Sequence, residues 1–331
     1  MKAKFTYAPF VAAEQSDIAT VVHLWNETLP GELPISSKLV RYNCDLQSDN
    51  HFPIVQMGQW AAVDHERVGL VIVSTLQAPL MPYTSSNTSP TTGWIDALIV
   101  PPTWQGRGIG SALLTWAEEW FAARGCQTIV VGGSLRPFMP GVPTALGTAG
   151  FFLHRGYRAQ PPVWDLSANL ATYQPPPIVQ PIDGLVRPAQ PSDIEPLDLF
   201  FQREFPGRWH WGFRTFAQSE SCRISDYMVL WTERGIDGFC RLTFEDSQLP
   251  IERFYPYQLS RPWGQLGPIG VSAAQRRRGL GAALLDAGLR RLHNNGINGC
   301  VIDWTTLVDF YAHFGFAPYR EYTQLTKVSE L

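Results

Sequence analysis

An internal repeat constrains the fold of this 331-residue chain more than any other feature of its sequence. Three segments recur in the same order, and equivalent positions in the central one, Gln105 and Arg276, are 171 residues apart. Ordered recurrence of this kind predicts two duplicated domains. The matched segments are Ala13–Ile18 with Ala189–Ile194, Ile99–Leu114 with Gly270–Leu285, and Phe151–Tyr157 with Phe310–Phe316.

The spacing between matched segments shortens by 12 residues toward the end of each copy, so the first copy holds the excess there. Residues 136–148 carry three prolines and two glycines and are predicted to form an extended loop. A proline-rich stretch separates the copies and is typical of a stiff linker. The predicted organisation is an N-terminal domain over residues 1–172, a linker over 173–183 and a C-terminal domain over 184–331.

Both copies have the same predicted order of elements. A serine in Ser16–Asp17 or Ser192–Asp193 caps a first helix. Two strands follow, and then a strand that ends in valine, a glycine turn and an amphipathic helix. A β-branched strand, a short helix and an aromatic turn complete the copy. The predicted fold class is α+β, with a central mixed β-sheet flanked by helices in each domain.

The composition argues against several kinds of partner. Lys plus Arg is 26, Asp plus Glu is 29, and the longest basic run is Arg276–Arg278, so we expect no nucleic-acid or membrane partner. The five cysteines include no C-x-x-C pair, which favours a reducing cytoplasm over a disulfide-bonded protein. No histidine pair has metal-ligand spacing, so no metal is expected. We expect a monomer or a homodimer.

The two glycine turns, Gln105–Gly110 and Arg276–Gly281, place backbone N–H groups beside a helix N-terminus, which suits an anion. Neither turn has the Lys-Ser/Thr pair of a Walker A loop. Neither has the third glycine of a dinucleotide fingerprint, because Ser111 and Leu284 stand at that position. The spacing therefore argues against ATP and NAD.

The turn instead follows the pattern [QR]-x-x-G-x-G, and a segment F-[YF]-x-x-x-G-[FY] comes later in both copies. This combination resembles the coenzyme A loop and its downstream region in the GCN5-related N-acetyltransferase (GNAT) superfamily. The resemblance implies two tandem GNAT domains that use acetyl-CoA as co-substrate, with the diphosphate held by amides of the turns. The implied carrier-binding residues are Val100, Gln105, Gly106, Arg107, Gly108, Ile109, Gly110 and Ser111 in the first copy, and Ile269, Val271, Arg276, Arg277, Arg278, Gly279, Leu280, Gly281 and Ala282 in the second.

Acyl transfer from a thioester to an amine gains from a proton donor for the departing thiolate, and a tyrosine can be that donor. Tyr311 stands at the family's tyrosine position, so the resemblance implies that it is the general acid. The first copy has Phe152 at the equivalent position, and a phenyl ring has no proton to give. We therefore expect the C-terminal domain to be catalytic and the N-terminal domain to be supportive.

The general base is less sharply defined. Many members of the family have a carboxylate on the strand before the turn, where the first copy has Asp96 but the second has Gly267. Asp303 and Glu204 are the candidates in the second copy, either as a base or as a seat for the substrate's ammonium group. A water relay or an acidic amine would replace either of them.

The expected function is acetyl-CoA-dependent N-acetyl transfer to the primary amine of a small molecule, by direct attack on the thioester. An amino sugar is one candidate acceptor, because aromatic faces beside carboxylates suit a polyhydroxy amine. A peptide or thiol-conjugate amine, as in mycothiol-synthase-like members of the family, is another. A third alternative is a protein that binds acyl-CoA without transfer, since Phe152 lacks a hydroxyl group and Gly267 lacks a carboxylate.

Overall fold

The chain divides into two compact units in a computed structural model. The first unit is formed mainly by the chain up to Val163 together with the segment from Tyr322 onward, and the second by Trp164–Glu321. Each has a mixed β-sheet with flanking helices, which confirms the predicted α+β fold class. The structure describes residues 4–29, 31, 33–44, 54–76, 91–219, 222–247 and 258–328.

The elements up to residue 169 follow the predicted order, with an N-terminal strand and a second helix in addition. They are β1 (Thr6–Phe10), α1 (Gln15–Thr28), α2 (Ser37–Cys44), β2 (Ile54–Val63), β3 (Glu66–Leu76), β4 (Thr92–Ile99), α3 (Ile109–Ala122), β5 (Thr128–Val131), β6 (Val142–Pro143), α4 (Ala149–Leu153), β7 (Arg158–Ala159) and β8 (Val163–Asn169).

The elements after residue 169 repeat this order, again with an extra helix near the start and two strands at the end. They are β9 (Leu185–Pro188), α5 (Ile194–Glu204), α6 (Arg208–Gln218), β10 (Tyr227–Thr232), β11 (Gly235–Thr243), β12 (Trp263–Val271), α7 (Leu280–Asn294), β13 (Gly299–Thr305), α8 (Val308–Ala312), β14 (Ala317–Thr323) and β15 (Leu325–Val328).

A parallel pair of strands lies near the middle of each sheet. The first sheet has the order β1-β2-β3-β4-β5-β15-β7, in which β4 and β5 are parallel. The second runs β14-β8-β13-β12-β11-β10-β9, in which β12 and β13 are parallel. A helix follows the glycine turn in each unit and buries its apolar face in the core, α3 through Leu113 and Phe121 and α7 through Leu285 and Leu289. Among the described residues, no helix is both long enough and apolar enough to cross a membrane.

Two strands lie in a different unit from the one that their sequence position predicts. β8 pairs antiparallel with β13 in the second sheet, although it falls within the predicted N-terminal domain, 1–172. β15 pairs antiparallel with β5 in the first sheet, although it falls within the predicted C-terminal domain, 184–331. The predicted linker, 173–183, lies inside the second unit, where the buried Tyr173 hydroxyl donates a hydrogen bond to Asp286 over 3.0 Å. The compact units therefore have other limits than the two copies of the repeat.

The predicted loop at residues 136–148 is folded onto the first unit instead of extending from it. Phe138 and Met139 are buried, and the Phe138 ring stacks on Trp25 with centroids 5.5 Å apart. The carbonyl of Pro137 accepts a hydrogen bond from the side chain of Asn43 on α2. Burial of apolar side chains stabilises this proline-rich segment, which has no counterpart in the second copy.

The serine caps predicted from the sequence are wrong. α1 begins before Ser16, and Ser192 lies within a short 3₁₀ turn before α5. In both units the following aspartate, Asp17 or Asp193, is buried and accepts a hydrogen bond from a backbone N–H group earlier in the chain. The aspartate carboxylate, and not the serine hydroxyl, therefore stabilises the start of the helix. Asp17 accepts from Val11 and pairs with Arg67, and Asp193 accepts from Gln190 and pairs with Arg187.

Because β8 supplies a strand of the second sheet, we expect a fragment of residues 164–321 to fold and a fragment of residues 184–331 to fail. The shorter fragment leaves an edge of β13 unpaired and carries β15 without its partner strand, and such edges promote aggregation. Thermal unfolding followed by circular dichroism, with size-exclusion chromatography, tests this. Equally cooperative unfolding of the two fragments would contradict it.

Candidate active site

The glycine turns have nearly identical backbone geometry in the two units. The residue before each helix, Gly108 or Gly279, has a positive φ of 87° or 78°, a conformation that favours glycine. Two residues earlier, Gly106 has a φ of 72° and Arg277 a φ of 62°. The first intrahelical bonds of α3 and α7 come from Ala112 and Ala283, so the amides ahead of them have no partner within the helix. These amides are the donors predicted to bind the anion.

The first residue of the motif, Gln105 or Arg276, stabilises the turn by a hydrogen bond from its side chain to the end of the preceding strand. Gln105 Nε2 donates to the Val100 carbonyl over 2.8 Å, and Arg276 Nε donates to the Val271 carbonyl over 3.4 Å. Arg278 donates to the Gln275 side chain. Arg277 is exposed, and its backbone has the conformation that glycine supplies in the first unit. A residue other than glycine in the left-handed conformation costs about 1 kcal/mol, so Arg277 places a cation at this turn at some cost in backbone strain.

The other predicted carrier-binding residues fall into three groups. The side chains of Ile109 and Leu280 are buried in the core, so these residues have only backbone N–H groups to offer. Ser111 Oγ accepts a hydrogen bond from Arg155 over 2.6 Å, and the Arg107 guanidinium lies over the Trp104 ring at 4.7 Å. Half-buried strand ends and small helix residues make up the remainder, namely Val100, Ile269, Val271, Gly110, Gly281 and the buried Ala282.

The parallel strands separate at nearly the same position in both units, with a difference of one residue pair. In the second unit the ladder between β12 and β13 ends at the pair Gln265 and Val301. The next residue of β13, Ile302, pairs only with Leu166 of β8, on the side of β13 away from β12. In the first unit the ladder between β4 and β5 ends one pair later. Separation leaves an opening in the sheet directly in front of the glycine turn and its helix.

A carboxylate stands at this opening in each unit, but on opposite strands. The first unit has Asp96 on β4 and Gly132 just after β5, whereas the second has Gly267 on β12 and Asp303 on β13. A Cβ atom on Gly267 would lie 3.2 Å from Asp303 Oδ1, so the carboxylate of Asp303 reaches the position where the first unit carries its own. Gln265 Nε2 donates to that oxygen over 2.6 Å. The carboxylate missing from β12 is therefore supplied by the neighbouring strand.

Tyr311 is buried on α8 beside this carboxylate. Burial raises the pKa of the Tyr311 phenol, and the negative charge of Asp303 raises it further, while a hydrogen bond with Thr305 acts in the opposite direction. The phenol therefore keeps its proton at neutral pH and above. Phe152 is likewise buried on α4 of the first unit. The two predicted catalytic residues Tyr311 and Asp303 thus interact with each other.

Glu204 lies at the glycine turn rather than with these two residues. One carboxylate oxygen accepts from the backbone N–H of Ala273 over 2.9 Å, and the other accepts from Arg203 over 3.0 Å. Burial alone would raise the pKa of Glu204, but these two donors lower it overall, which keeps the carboxylate ionised. Its contacts join the end of α5 to the start of the turn.

Two residues that support Trp304, namely Asp165 and Arg208, were not predicted from the sequence. Trp304 has a positive φ of 50°, and its backbone N–H donates a hydrogen bond to Oδ1 of the buried Asp165 over 3.1 Å. The Arg208 guanidinium lies over the Trp304 ring at 4.4 Å. Asp165 belongs to β8, the strand from the first copy that joins the second sheet, so β8 fixes the backbone of Trp304. A β-branched and aromatic strand pattern carries no signal for such a backbone twist. Among the described residues, no group of three or more His, Cys, Asp or Glu side chains could hold a metal ion.

Comparison with known proteins matches both halves of the chain to one family. The family model described as acetyltransferase (GNAT) family matches residues 18–135 and 194–316. A mycothiol acetyltransferase from Nocardia farcinica (strain IFM 10152) is 28% identical over 230 residues, which cover 66% of this chain and 69% of that protein.

Solved structures of similar fold cover nearly the whole chain. The glucosamine N-acetyltransferase region of a fungal multi-domain GH3 β-N-acetylglucosaminidase has a TM-score of 0.83 at 22% identity, over 98% of this chain but only 38% of that protein's chain. A tandem GNAT protein from the clavulanic acid biosynthesis pathway has a TM-score of 0.68 at 15% identity, over 99% of both chains. At these identities the likeness supports the fold alone.

We expect Arg277→Gly and Arg277→Asn to weaken acetyl-CoA binding about 3- to 10-fold, because each removes a charge-assisted contact with the diphosphate. Both residues tolerate the left-handed backbone, so the free energy of unfolding should change by less than about 1 kcal/mol. Calorimetric titration with acetyl-CoA and urea unfolding measure the two effects.

Arg277→Lys is the matched control for charge and should bind within about 2-fold of the native protein. The loss in the glycine and asparagine variants should shrink at high salt, because salt screens exposed charges. Undiminished affinity in both uncharged variants would remove Arg277 from the carrier site.

Proposed function

The chain belongs to the acetyltransferase (GNAT) family and is an N-acetyltransferase; we propose that its second unit acetylates the primary amine of a small molecule. The family uses acetyl-CoA as co-substrate. The observation that carries the proposal is the buried position of Tyr311 within the electrostatic influence of Asp303, in the unit that has a tyrosine where the first unit has Phe152.

The proposed reaction is direct transfer. The neutral amine nitrogen attacks the thioester carbonyl carbon, a C–N bond forms, and the C–S bond breaks. The departing thiolate takes the proton of the Tyr311 hydroxyl, and the nitrogen loses its proton to the Asp303 carboxylate or to water. The products are an N-acetyl amide and free coenzyme A, and solvent returns the proton to Tyr311.

The remaining residues hold the substrates in place. The amides of the turn Arg276–Gly281 bind the diphosphate at the N-terminus of α7. Glu204 keeps the start of that turn fixed to α5 through Ala273, and we assign it this positioning role in preference to that of a base, because both its oxygens are engaged. Asp303 is the seat for the acceptor's ammonium group before that group loses a proton.

An amino sugar is the acceptor that we favour. Trp304 follows Asp303 on β13, and its positive φ interrupts the alternation of side chains along the strand. In our proposal a sugar ring stacks on the face of Trp304 opposite the Arg208 guanidinium while its amine meets the Asp303 carboxylate. The name of the fungal relative, a glucosamine N-acetyltransferase region, supports this choice. A thiol-conjugate or peptide amine is the second candidate, and the Nocardia relative's name, mycothiol acetyltransferase, favours it.

We propose that the protein acts on small molecules in the cytoplasm, without nucleic-acid or membrane partners, as a monomer or homodimer. The formal net charge of -3 and the absence of a long basic run in the sequence support this. The alternative of an acyl-CoA-binding protein without transferase activity rests on Phe152 and applies to the first unit.

We expect Tyr311→Phe to lower kcat about 100-fold or more and to leave the KM for acetyl-CoA nearly unchanged, because it removes only the proton donor. The raised pKa of Tyr311 keeps the donor protonated, so kcat of the native protein should show no alkaline loss up to about pH 10. Tyr157→Phe is the matched control: this buried tyrosine of the first unit donates to Glu118. Equal kcat in Tyr311→Phe and the native protein would contradict the assignment.

We expect glucosamine to release free coenzyme A from acetyl-CoA faster than a dipeptide or a cysteine conjugate does, and Trp304→Ala to raise the KM for glucosamine about 10-fold. A stacked ring supplies roughly 1–3 kcal/mol of binding by burial of apolar surface. Thiol release measured over this acceptor panel tests the choice. A preference for the cysteine conjugate favours the second candidate, and binding of acetyl-CoA without release from any amine favours a non-catalytic protein.

A further inference from the structure

The chain enters the glycine turn of the second unit through a buried polar pair, Asp237 and Ser272. Asp237 lies on β11 and is 1% exposed, and Ser272 follows β12 and is 0% exposed. The Ser272 hydroxyl donates to Asp237 Oδ1 over 2.6 Å, and the Ser272 backbone N–H donates to the Asp237 carbonyl over 2.8 Å. The other carboxylate oxygen, Oδ2, accepts from Thr232 over 2.6 Å. The proposed reaction gives neither member of the pair a role.

Asp237 reaches Ser272 from a β-bulge. Along β10 the pairing partner moves from Gly238 to Ile236 at adjacent residues, so Asp237 is the extra residue of β11. Bulges commonly re-aim a side chain next to a functional site. This one brings a carboxylate within hydrogen-bond distance of the residue that starts the turn.

The first unit has the same bulge but fills it with apolar residues. The register of β2 and β3 shifts at the equivalent place, which makes the buried Val68 the counterpart of Asp237. The counterpart of Ser272 at the 171-residue offset is Pro101. The φ of Pro101 is -56° and that of Ser272 is -42°, both within about 25° of the value that a proline ring imposes. The ring holds this conformation in the first unit, and the two hydrogen bonds to Asp237 hold it in the second.

The same difference between the units continues into the turn. The Ser272 carbonyl accepts from the backbone N–H of Gln275 over 2.9 Å, and the buried side chain of Gln275 accepts from Arg278, a predicted carrier-binding residue. In the first unit Trp104 stands at the Gln275 position, and the Arg107 guanidinium lies over its ring at 4.7 Å. A chain of hydrogen bonds therefore leads from the bulge to an arginine of the second turn, where the first unit has proline and aromatic contacts.

We propose that Asp237 is a positioning residue for acetyl-CoA, which acts through Ser272 and does not itself contact the carrier. The two residues hold the turn Arg276–Gly281, and with it the Arg278 side chain, in the conformation that binds the diphosphate. This role rests on the proposed function, in which the second unit is the site of transfer. Loss of either side chain removes a buried hydrogen bond at the entry to the turn, so the carrier then has to order a looser segment when it binds.

Steady-state kinetics of the full chain test this role, with acetyl-CoA and whichever acceptor of the panel releases coenzyme A fastest. We expect Ser272→Ala and Asp237→Ala to raise the KM for acetyl-CoA about 10-fold and to change kcat less than about 2-fold, because the turn binds the carrier and transfers no proton. Ser247→Ala is the matched control, since the Ser247 hydroxyl donates to another buried aspartate of the second unit, Asp226, over 2.9 Å. Unchanged KM in Ser272→Ala, or an equal rise in Ser247→Ala, would overturn the proposal.

The first unit supplies a rescue variant. Asp237→Val combined with Ser272→Pro installs the residues of the first unit at both positions. We expect this double variant to return the KM for acetyl-CoA to within about 3-fold of the native value, whereas Asp237→Val alone keeps the 10-fold rise, because the two positions act as a unit. Effects of the two substitutions that simply add would overturn the proposal.

Hydrogen–deuterium exchange of the ligand-free chain separates this inference from the proposed function. The backbone N–H groups of Gln275 and Arg276 are hydrogen-bonded within the entry to the turn. Their exchange should become about 10-fold faster in Ser272→Ala and stay unchanged in Ser247→Ala. Unchanged exchange in Ser272→Ala would overturn the inference and leave the proposed function standing. Faster exchange in a chain whose native form neither binds nor consumes acetyl-CoA would overturn the proposed function, and the carrier role of Asp237 with it.

Discussion

The early end of the parallel ladder is the constraint on which each unit depends. Two parallel strands whose hydrogen bonding stops within a few pairs must turn apart, and each then pairs with an antiparallel neighbour on its other side. The gap that opens is flanked by backbone groups and closed at one end by a helix N-terminus. The glycine turn, the carboxylate and the short helix all follow strands that border this gap. The pairing of the strands therefore determines where these groups lie.

The sequence predicts this architecture well where the information is local or repeated. Two copies of the glycine turn with matched flanks identify the strand, the helix and the family, and the segment F-[YF]-x-x-x-G-[FY] gives the position of Tyr311. The assignment of β8 and β15 was outside its reach, because an alternating strand pattern is the same whichever sheet it joins. The contact of Glu204 with Ala273 is likewise tertiary.

The carboxylate at the strand opening shows what the structure adds to a sequence pattern. Aligning the copies at the 171-residue offset puts Asp96 opposite Gly267 and Gly132 opposite Asp303. The structure adds that Asp303 Oδ1 lies 3.2 Å from where a Cβ atom on Gly267 would be, so the second carboxylate reaches the place of the first. Each unit therefore has one glycine and one aspartate at this pair of positions, and the charge lies on opposite strands. The two units have therefore diverged in which strand carries the acid as well as in Tyr311 and Phe152.

The displaced strand β15 has a consequence for synthesis of the chain on the ribosome. β5 of the first sheet is complete once residue 131 has been synthesised. Residues 325–328 of β15, which pair with the free edge of β5, are synthesised almost 200 residues later. At about 5–20 residues per second, the nascent first unit waits roughly 10–40 s with an open hydrogen-bonding edge. Crowded polysomes bring such edges from neighbouring chains together, so translation speed and chaperone supply should govern the yield of this protein more than its final stability does.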